Sequence, residues 1–181
     1  PDVIMRAMFA RGAFSKADAA AAGATLAAYA VGLIPFVLIR SAVATFYARK
    51  DTATPVKAAL TGVAVNVALK VALVGSLAQI GLALATSVGA WVNLLLVVLF
   101  ATRRKFFVFD RAVIGSLTKF VAAGVILAAA LWLTSRWATT ALAGMTSLRD
   151  EAALGILIVA GAVVYSASVL LLFGRRWLVR L

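Results

Sequence analysis

Two cations sit where an apolar chain rarely holds them. Arg40 lies inside the run AYAVGLIPFVLIRSAVATFY, and Lys70 inside PVKAALTGVAVNVALKVALVG. A charge at membrane depth costs roughly 2.5 kcal/mol or more, so such side chains face a bundle interior or a wet cavity, or else snorkel to the headgroups. A guanidinium at Arg40 suits the planar oxygens of a diphosphate. The plainer alternative is that Arg40, near the end of its helix, simply snorkels. Lys70 lies deeper, so a role in a cavity or as a substitute for an ion competes with snorkelling. Ala58, Gly62, Asn66 and Lys70 fall four residues apart and share one helix face. Gly81, Ala85 and Gly89 form a small-residue stripe that Asn93 continues, with the hydroxyls of Thr86 and Ser87 beside it. Asn66 and Asn93 are either cavity-lining amides or hydrogen-bonding glue between helices.

No catalytic constellation accompanies them. The chain has no His and no Cys, which removes the commonest proton shuttle and all thiol chemistry. Its six carboxylates, Asp2, Asp18, Asp51, Asp110, Asp150 and Glu151, lie in loops or at helix ends. Metal-dependent chemistry needs clustered acids, and proton coupling an intramembrane acid or His. The sequence therefore predicts no enzyme, no cofactor and no metal site.

The elements that position these residues are long and apolar. Hydrophobic residues make up 65% of the 181 and charged ones 13%, against about 45–50% and about 25% in soluble domains. Such a chain cannot supply a polar skin, so its exterior is lipid. The net charge of +12 is broken into short clusters between apolar runs, a pattern that argues against nucleic acid as a partner. The fold class is all-α: a polytopic transmembrane bundle of five spans. Residues 1–19 form an interfacial segment after a preceding span, and the chain is expected to be a piece of a longer protein. The first span covers 20–47, where Pro35 removes a backbone hydrogen bond and Gly32 loosens the same turn, a candidate hinge. Thr54 as N-cap and Pro55 at the first helical position open the second span, 55–75. A tight turn at 76–79 leads to the third, 80–102, and then to an interfacial link, FFVFD. A fourth runs over 112–134, with Trp132 and Trp137 at its far end as interfacial aromatics. After a long loop, 136–149, Ser147 and Asp150 form a capping box for the fifth, 151–173, which Gly174 ends.

Five spans place alternate loops on alternate sides. Ten of the 18 cations fall in the loops around 49–57, 103–111 and 175–180, while the two opposite loops hold only Arg136 and Arg149. The positive-inside rule makes the first set, and the C-terminus, cytoplasmic.

The order RGAF, AYAVGLIPFVLIR, FYARKDTATPVK, GLALATSVGAWVN over residues 9–105 resembles the C-terminal part of the MurJ/MviN lipid II flippases. Within it the block Phe46–Lys57 is the most specific, because several fixed offsets coincide. The resemblance implies membership of the multidrug/oligosaccharidyl-lipid/polysaccharide exporter superfamily and a parent protein of 14 helices in two lobes around a central cavity. Residues 20–105 then correspond to three helices of the second lobe (family helices 10–12) and 106–181 to two further C-terminal helices (13–14). The implied function is flipping of undecaprenyl-linked peptidoglycan precursor, lipid II, across the bacterial inner membrane by alternating access. On that reading Arg40, Lys70, Asn66 and Asn93 line the substrate cavity, and a groove between the last two helices takes the polyprenyl tail; the alternative is that these two helices only seal the bundle against lipid. Partners are the lipid-linked precursor, membrane lipids and the missing N-terminal helices. The resemblance also implies that some members hold sodium with an Asn and an Asp one turn apart and a Thr on the next helix. Asn66 and Thr86 match, but Lys70 stands at the Asp position, so loss of sodium dependence is expected. Alternatives are another polysaccharide-lipid or drug exporter of the superfamily, or a non-transporting scaffold for cell-wall enzymes.

Overall fold

Apolar side chains cover the outside of the protein. Val71 is 75% exposed and Leu171 84% exposed, which no water-facing surface sustains over whole helices. A computed structural model describes residues 1–9, 14–106, 110–142, 144 and 148–173. Five helices carry the described residues: α1 (Asp2–Phe9), α2 (Lys16–Tyr47), α3 (Ala53–Arg103), α4 (Arg111–Ala141) and α5 (Arg149–Phe173). Four of these, α2 to α5, are long and apolar enough to cross a membrane. The chain is a multi-pass membrane protein.

The 51 residues of α3 would span about 76 Å if straight, far beyond a hydrocarbon core of about 30 Å. They do not run straight. Ala78, at φ 46° and ψ −127°, leaves helical geometry, and the arms 53–77 and 79–103 fold back on each other, each long enough to cross. The expected turn at 76–79 thus shrinks to one residue. Small residues let the arms meet: a Cβ on Gly81 would lie 2.7 Å from the Leu73 carbonyl oxygen, and one on Gly62 2.8 Å from that of Gly89. The small-residue stripe is consequently the seam of this hairpin.

The other side of the 79–103 arm packs on α2, and the two run parallel. Ser87 Oγ donates to the Ala28 carbonyl at 2.6 Å, and Trp91 Nε1 donates to the Val31 carbonyl at 3.0 Å. Pro35 explains the second bond. It has no N–H to give the carbonyl four residues earlier, so Val31 needs an outside donor in an apolar setting. Helix α2 continues through Pro35, which is fully buried. Gly32 is where Ser87 approaches: a Cβ there would lie 2.6 Å from Ser87 Oγ. Its small size serves packing here, in addition to any loosening of the turn. Further along, Phe46, Ala58, Val97 and Ala101 make a buried cluster joining α2 to both arms.

Several helix ends differ from the sequence expectation. Helix α2 starts at Lys16 rather than 20, because Ser15 and Asp18 form a capping box. Thr52, rather than Thr54, is the N-cap of α3, and in place of its own side chain the Asp51 carboxylate closes the helix start, accepting the Thr54 N–H at 3.1 Å and the Thr54 hydroxyl at 2.8 Å. Pro55 is then the third helical residue, still in the turn where an N–H has no partner. Arg104 pairs with the same carboxylate. The Thr54 N–H and then the Thr54 hydroxyl hold the Asp51 carboxyl below the usual carboxylate range, against an opposing effect of desolvation that outweighs the further help of the Arg104 charge. A depressed folded-state value adds stability above the ordinary carboxylate pKa and loses it as pH falls through the depressed value. The melting midpoint of the full-length protein should therefore exceed that of an Asp51→Asn variant at neutral pH, and the gap should close below about pH 4 in thermal melts.

Helices α2 and α3 form one compact unit; α4, α5 and most of α1 form a second. In the second, α4 extends to Ala141, so Arg136 lies on the helix and not in the expected loop. Its guanidinium sits 5.0 Å from the centre of the Trp132 ring one turn back, and the Thr140 hydroxyl bonds to the Trp137 carbonyl. Helix α5 runs antiparallel to α4, with Gly161 against Leu131 and Arg149 Nη2 donating to the Thr139 carbonyl at 2.6 Å. Arg6 of α1 reaches Asp150 at 3.5 Å. The expected Ser147 cap, the Gly174 stop, the cations at 175, 176 and 180, Arg11 of RGAF and residues 107–109 of the FFVFD link lie outside the described residues.

Candidate functional site

The seam of the hairpin opens into a mostly apolar pocket of about 170 Å³ with a few polar side chains in its wall, room for about six waters at liquid density. Phe36 and Ile39 of α2 form its apolar wall. Asn66 comes from the 53–77 arm, and Thr86 and Asn93 from the 79–103 arm, with Gly62 and Gly89 in the floor. The two glycines set the spacing. A Cβ on Gly89 would meet Asn66 Cβ at 2.8 Å, and one on Gly62 would meet Asn93 Cβ at 2.9 Å. Only a glycine opposite each Asn lets both amides stand in the seam.

The pocket's polar side chains are few, and two of them hold an unpaired oxygen. Asn66 Oδ1 and Asn93 Oδ1 are buried and take no hydrogen bond. Thr86 Oγ1 gives its proton to the Leu82 carbonyl at 2.9 Å, which leaves its lone pairs available. A buried, unpaired amide oxygen costs about 1–3 kcal/mol, and this seam carries two of them. No carboxylate among the described residues lines it.

The expected site residues are thus brought together only in part. Asn66, Asn93 and Thr86 share the pocket. Arg40 is exposed on α2, on the stripe of Leu33, Phe36 and Val37, and Lys70 is half-buried one turn beyond Asn66; neither lines the pocket. Sequence reasoning missed Trp91, and it noted Ser87 only as a nearby hydroxyl; both hold α2 in place beside the pocket. The missed signal was Pro35, whose lost N–H calls for a donor on a neighbouring helix.

A family profile described as "Lipid II flippase MurJ" matches residues 2–151. The chain belongs to the MurJ family. A "Probable lipid II flippase MurJ" of Rhizobium tropici is 34% identical over 178 residues, covering 96% of this chain and 33% of that protein. Its counterpart in Rhizobium meliloti (strain 1021) is 40% identical over 151 residues, covering 82% and 28%. The "Lipid II flippase MurJ" of Burkholderia cenocepacia is 28% identical over 171 residues, covering 94% and 32%. The chain spans about a third of the length of these relatives. The likeness to the MurJ family, expected over 9–105, extends well into α4 and the start of α5.

Within this MurJ chain the specific block Phe46–Lys57 has a structural explanation. Phe46 is fully buried, Asp51 closes the start of α3 and pairs with Arg104, and Thr54 and Pro55 are buried beneath it. Arg49 lies 4.5 Å over the Phe106 ring, which itself meets Phe46 edge-on. The block joins the ends of three helix segments. As for sodium, the residues do not fit: the acceptors are neutral, and the position one turn from Asn66 carries an ammonium where a carboxylate would offset the ion's charge.

Proposed function

We propose that the intact protein containing this chain flips lipid II across the bacterial inner membrane by alternating access. The chain would contribute family helices 10–14: residues 20–105 the second-lobe part and 106–181 the two added helices. In the intact bundle the C-terminus is cytoplasmic, as the cation distribution favours. The protein acts as a transporter, not a catalyst. The observation that carries this reading is the pocket at the seam of a MurJ-family hairpin, with Asn66 and Asn93 unpaired in an otherwise apolar setting. Polar groups at the packing seam of a transporter are where substrate and its ions are handled.

On this reading the cavity joins the pocket to Arg40, whose exposed guanidinium faces the helices missing from this chain and meets the substrate diphosphate. Lys70 serves as a tethered cation in place of sodium. Gly32 and Pro35 mark where α2 bends as the lobes rock. The apolar face of α5 around Gly155 and Val159 takes the polyprenyl tail.

Depletion and rescue test the proposal. The full-length gene should restore peptidoglycan precursor flux in cells depleted of their own flippase. Arg40→Ala and Lys70→Ala should weaken rescue at unchanged expression. Replacing sodium by potassium should leave flux unchanged. Full rescue by both variants would favour a scaffold, failure of the wild-type gene another exporter, and a sodium response abolished by Asn66→Ala a working ion site.

A further inference from the structure

Helix α2 and the 79–103 arm stop side by side, and they stop in the same way. At α2 the Lys50 and Asp51 N–H groups turn back to the Tyr47 and Phe46 carbonyls at 3.0 and 3.1 Å; at the arm, Lys105 and Phe106 do so to Thr102 and Ala101 at 3.0 and 2.8 Å. This paired closure puts one residue in the left-handed region, where glycine is the usual occupant because a Cβ is disfavoured there. Both times the occupant is lysine, Lys50 at φ 59° and Lys105 at φ 56°. Both are exposed. Each gives up stability that glycine would recover.

The surroundings intensify the charge. Arg49 and Arg104 stand 4.5 and 6.0 Å from the centre of the same Phe106 ring. Arg103 is exposed beside them, and Lys57 lies one turn into the neighbouring arm. Among the described residues at this end of the unit the one carboxylate is Asp51, already engaged by Thr54 and Arg104. Cations held this close repel one another, and strained lysines do not help folding. Both features are accounted for if an anion binds. Leu95, Leu99 and Arg103 form an exposed column four residues apart, the shape of an acyl chain lying under its headgroup.

We propose that this end is a binding site for the phosphodiester headgroup of an anionic phospholipid, with Lys50 and Lys105 as its main contacts and Arg49, stacked on Phe106, fixing its position. The site does not depend on what the protein transports. Full-length protein in nanodiscs of equal phosphatidylglycerol and phosphatidylcholine tests it. Native mass spectrometry should find phosphatidylglycerol retained in preference. The variant Lys50→Gly/Lys105→Gly should lower that preference by up to about thirtyfold, since each cation near an anionic surface contributes about fivefold in affinity. In pure phosphatidylcholine the same variant should melt higher than wild type, because glycine relieves the backbone. Arg136→Gln, in the other unit, should leave the preference intact. Inorganic phosphate should not reproduce the rise in melting midpoint given by phosphatidylglycerol. An unchanged preference in the double glycine variant, an equal loss in Arg136→Gln, a lower midpoint in phosphatidylcholine, or a matching effect of phosphate would each overturn the proposal.

Discussion

Replacing Gly89 by alanine should destabilise the full-length protein by about 3 kcal/mol, the upper part of the range for overpacked sites, and abolish rescue of flippase-depleted cells. The added Cβ would meet the Gly62 carbonyl oxygen and Asn66 Cβ, each at 2.8 Å. Neither is the free end of a flexible side chain: one is backbone, the other is rooted one bond from it. The arms must separate, and the pocket between them loses its walls. Gly155→Ala, inside α5 where nothing lies within 4 Å of the new Cβ, is the matching control and should leave the melting midpoint at or slightly above that of wild type, since alanine favours a helix interior. A Gly89→Ala protein as stable as wild type would mean that the hairpin seam is looser than the geometry requires.

The second large effect concerns Trp91. Its indole N–H satisfies the Val31 carbonyl that Pro35 leaves free. Trp91→Phe keeps most of the ring and removes the donor, so the full-length protein should lose about 1.5 kcal/mol, near the top of the range for interhelical hydrogen bonds in membranes. In a Pro35→Ala background the helix supplies its own N–H to Val31. There Trp91→Phe should cost well under half as much. Reversible unfolding of the four proteins in detergent gives the coupling directly. Additive losses would show that the Trp91 bond and the proline are unrelated.

The long apolar runs, the small-residue face around Gly62 and the stripe at Gly81, Ala85 and Gly89 were legible in sequence because their periods are those of a packed membrane helix. Asn66, Asn93 and Thr86 could be picked out because polar groups are rare in such runs. The turn was only half legible. Gly75 and Ser76 carry the residue types that favour a break, yet the chain turns at Ala78, where tight packing of Gly81 on Leu73 overrides local preference. Asp51 was hidden as the group that closes the start of α3 because its partners, Thr54 and Arg104, are three and fifty-three residues away, and the second of these is a tertiary contact. Arg40 and Lys70 drew notice by their charge alone. Hydropathy gives the depth of a residue but not the direction of its side chain, and so could not separate them from the pocket.

The central claim is that the Asn66–Asn93 pocket handles substrate and is not merely glue between helices. Outer-leaflet lipid II, measured in depleted cells carrying the full-length Asn66→Leu/Asn93→Leu variant, tests it most directly. Exchange of two unpaired buried amides for apolar groups of similar shape is near neutral for stability, so the variant should be expressed, melt no lower than wild type, and fail to supply lipid II to the outer leaflet. Normal outer-leaflet lipid II in that variant would contradict the account.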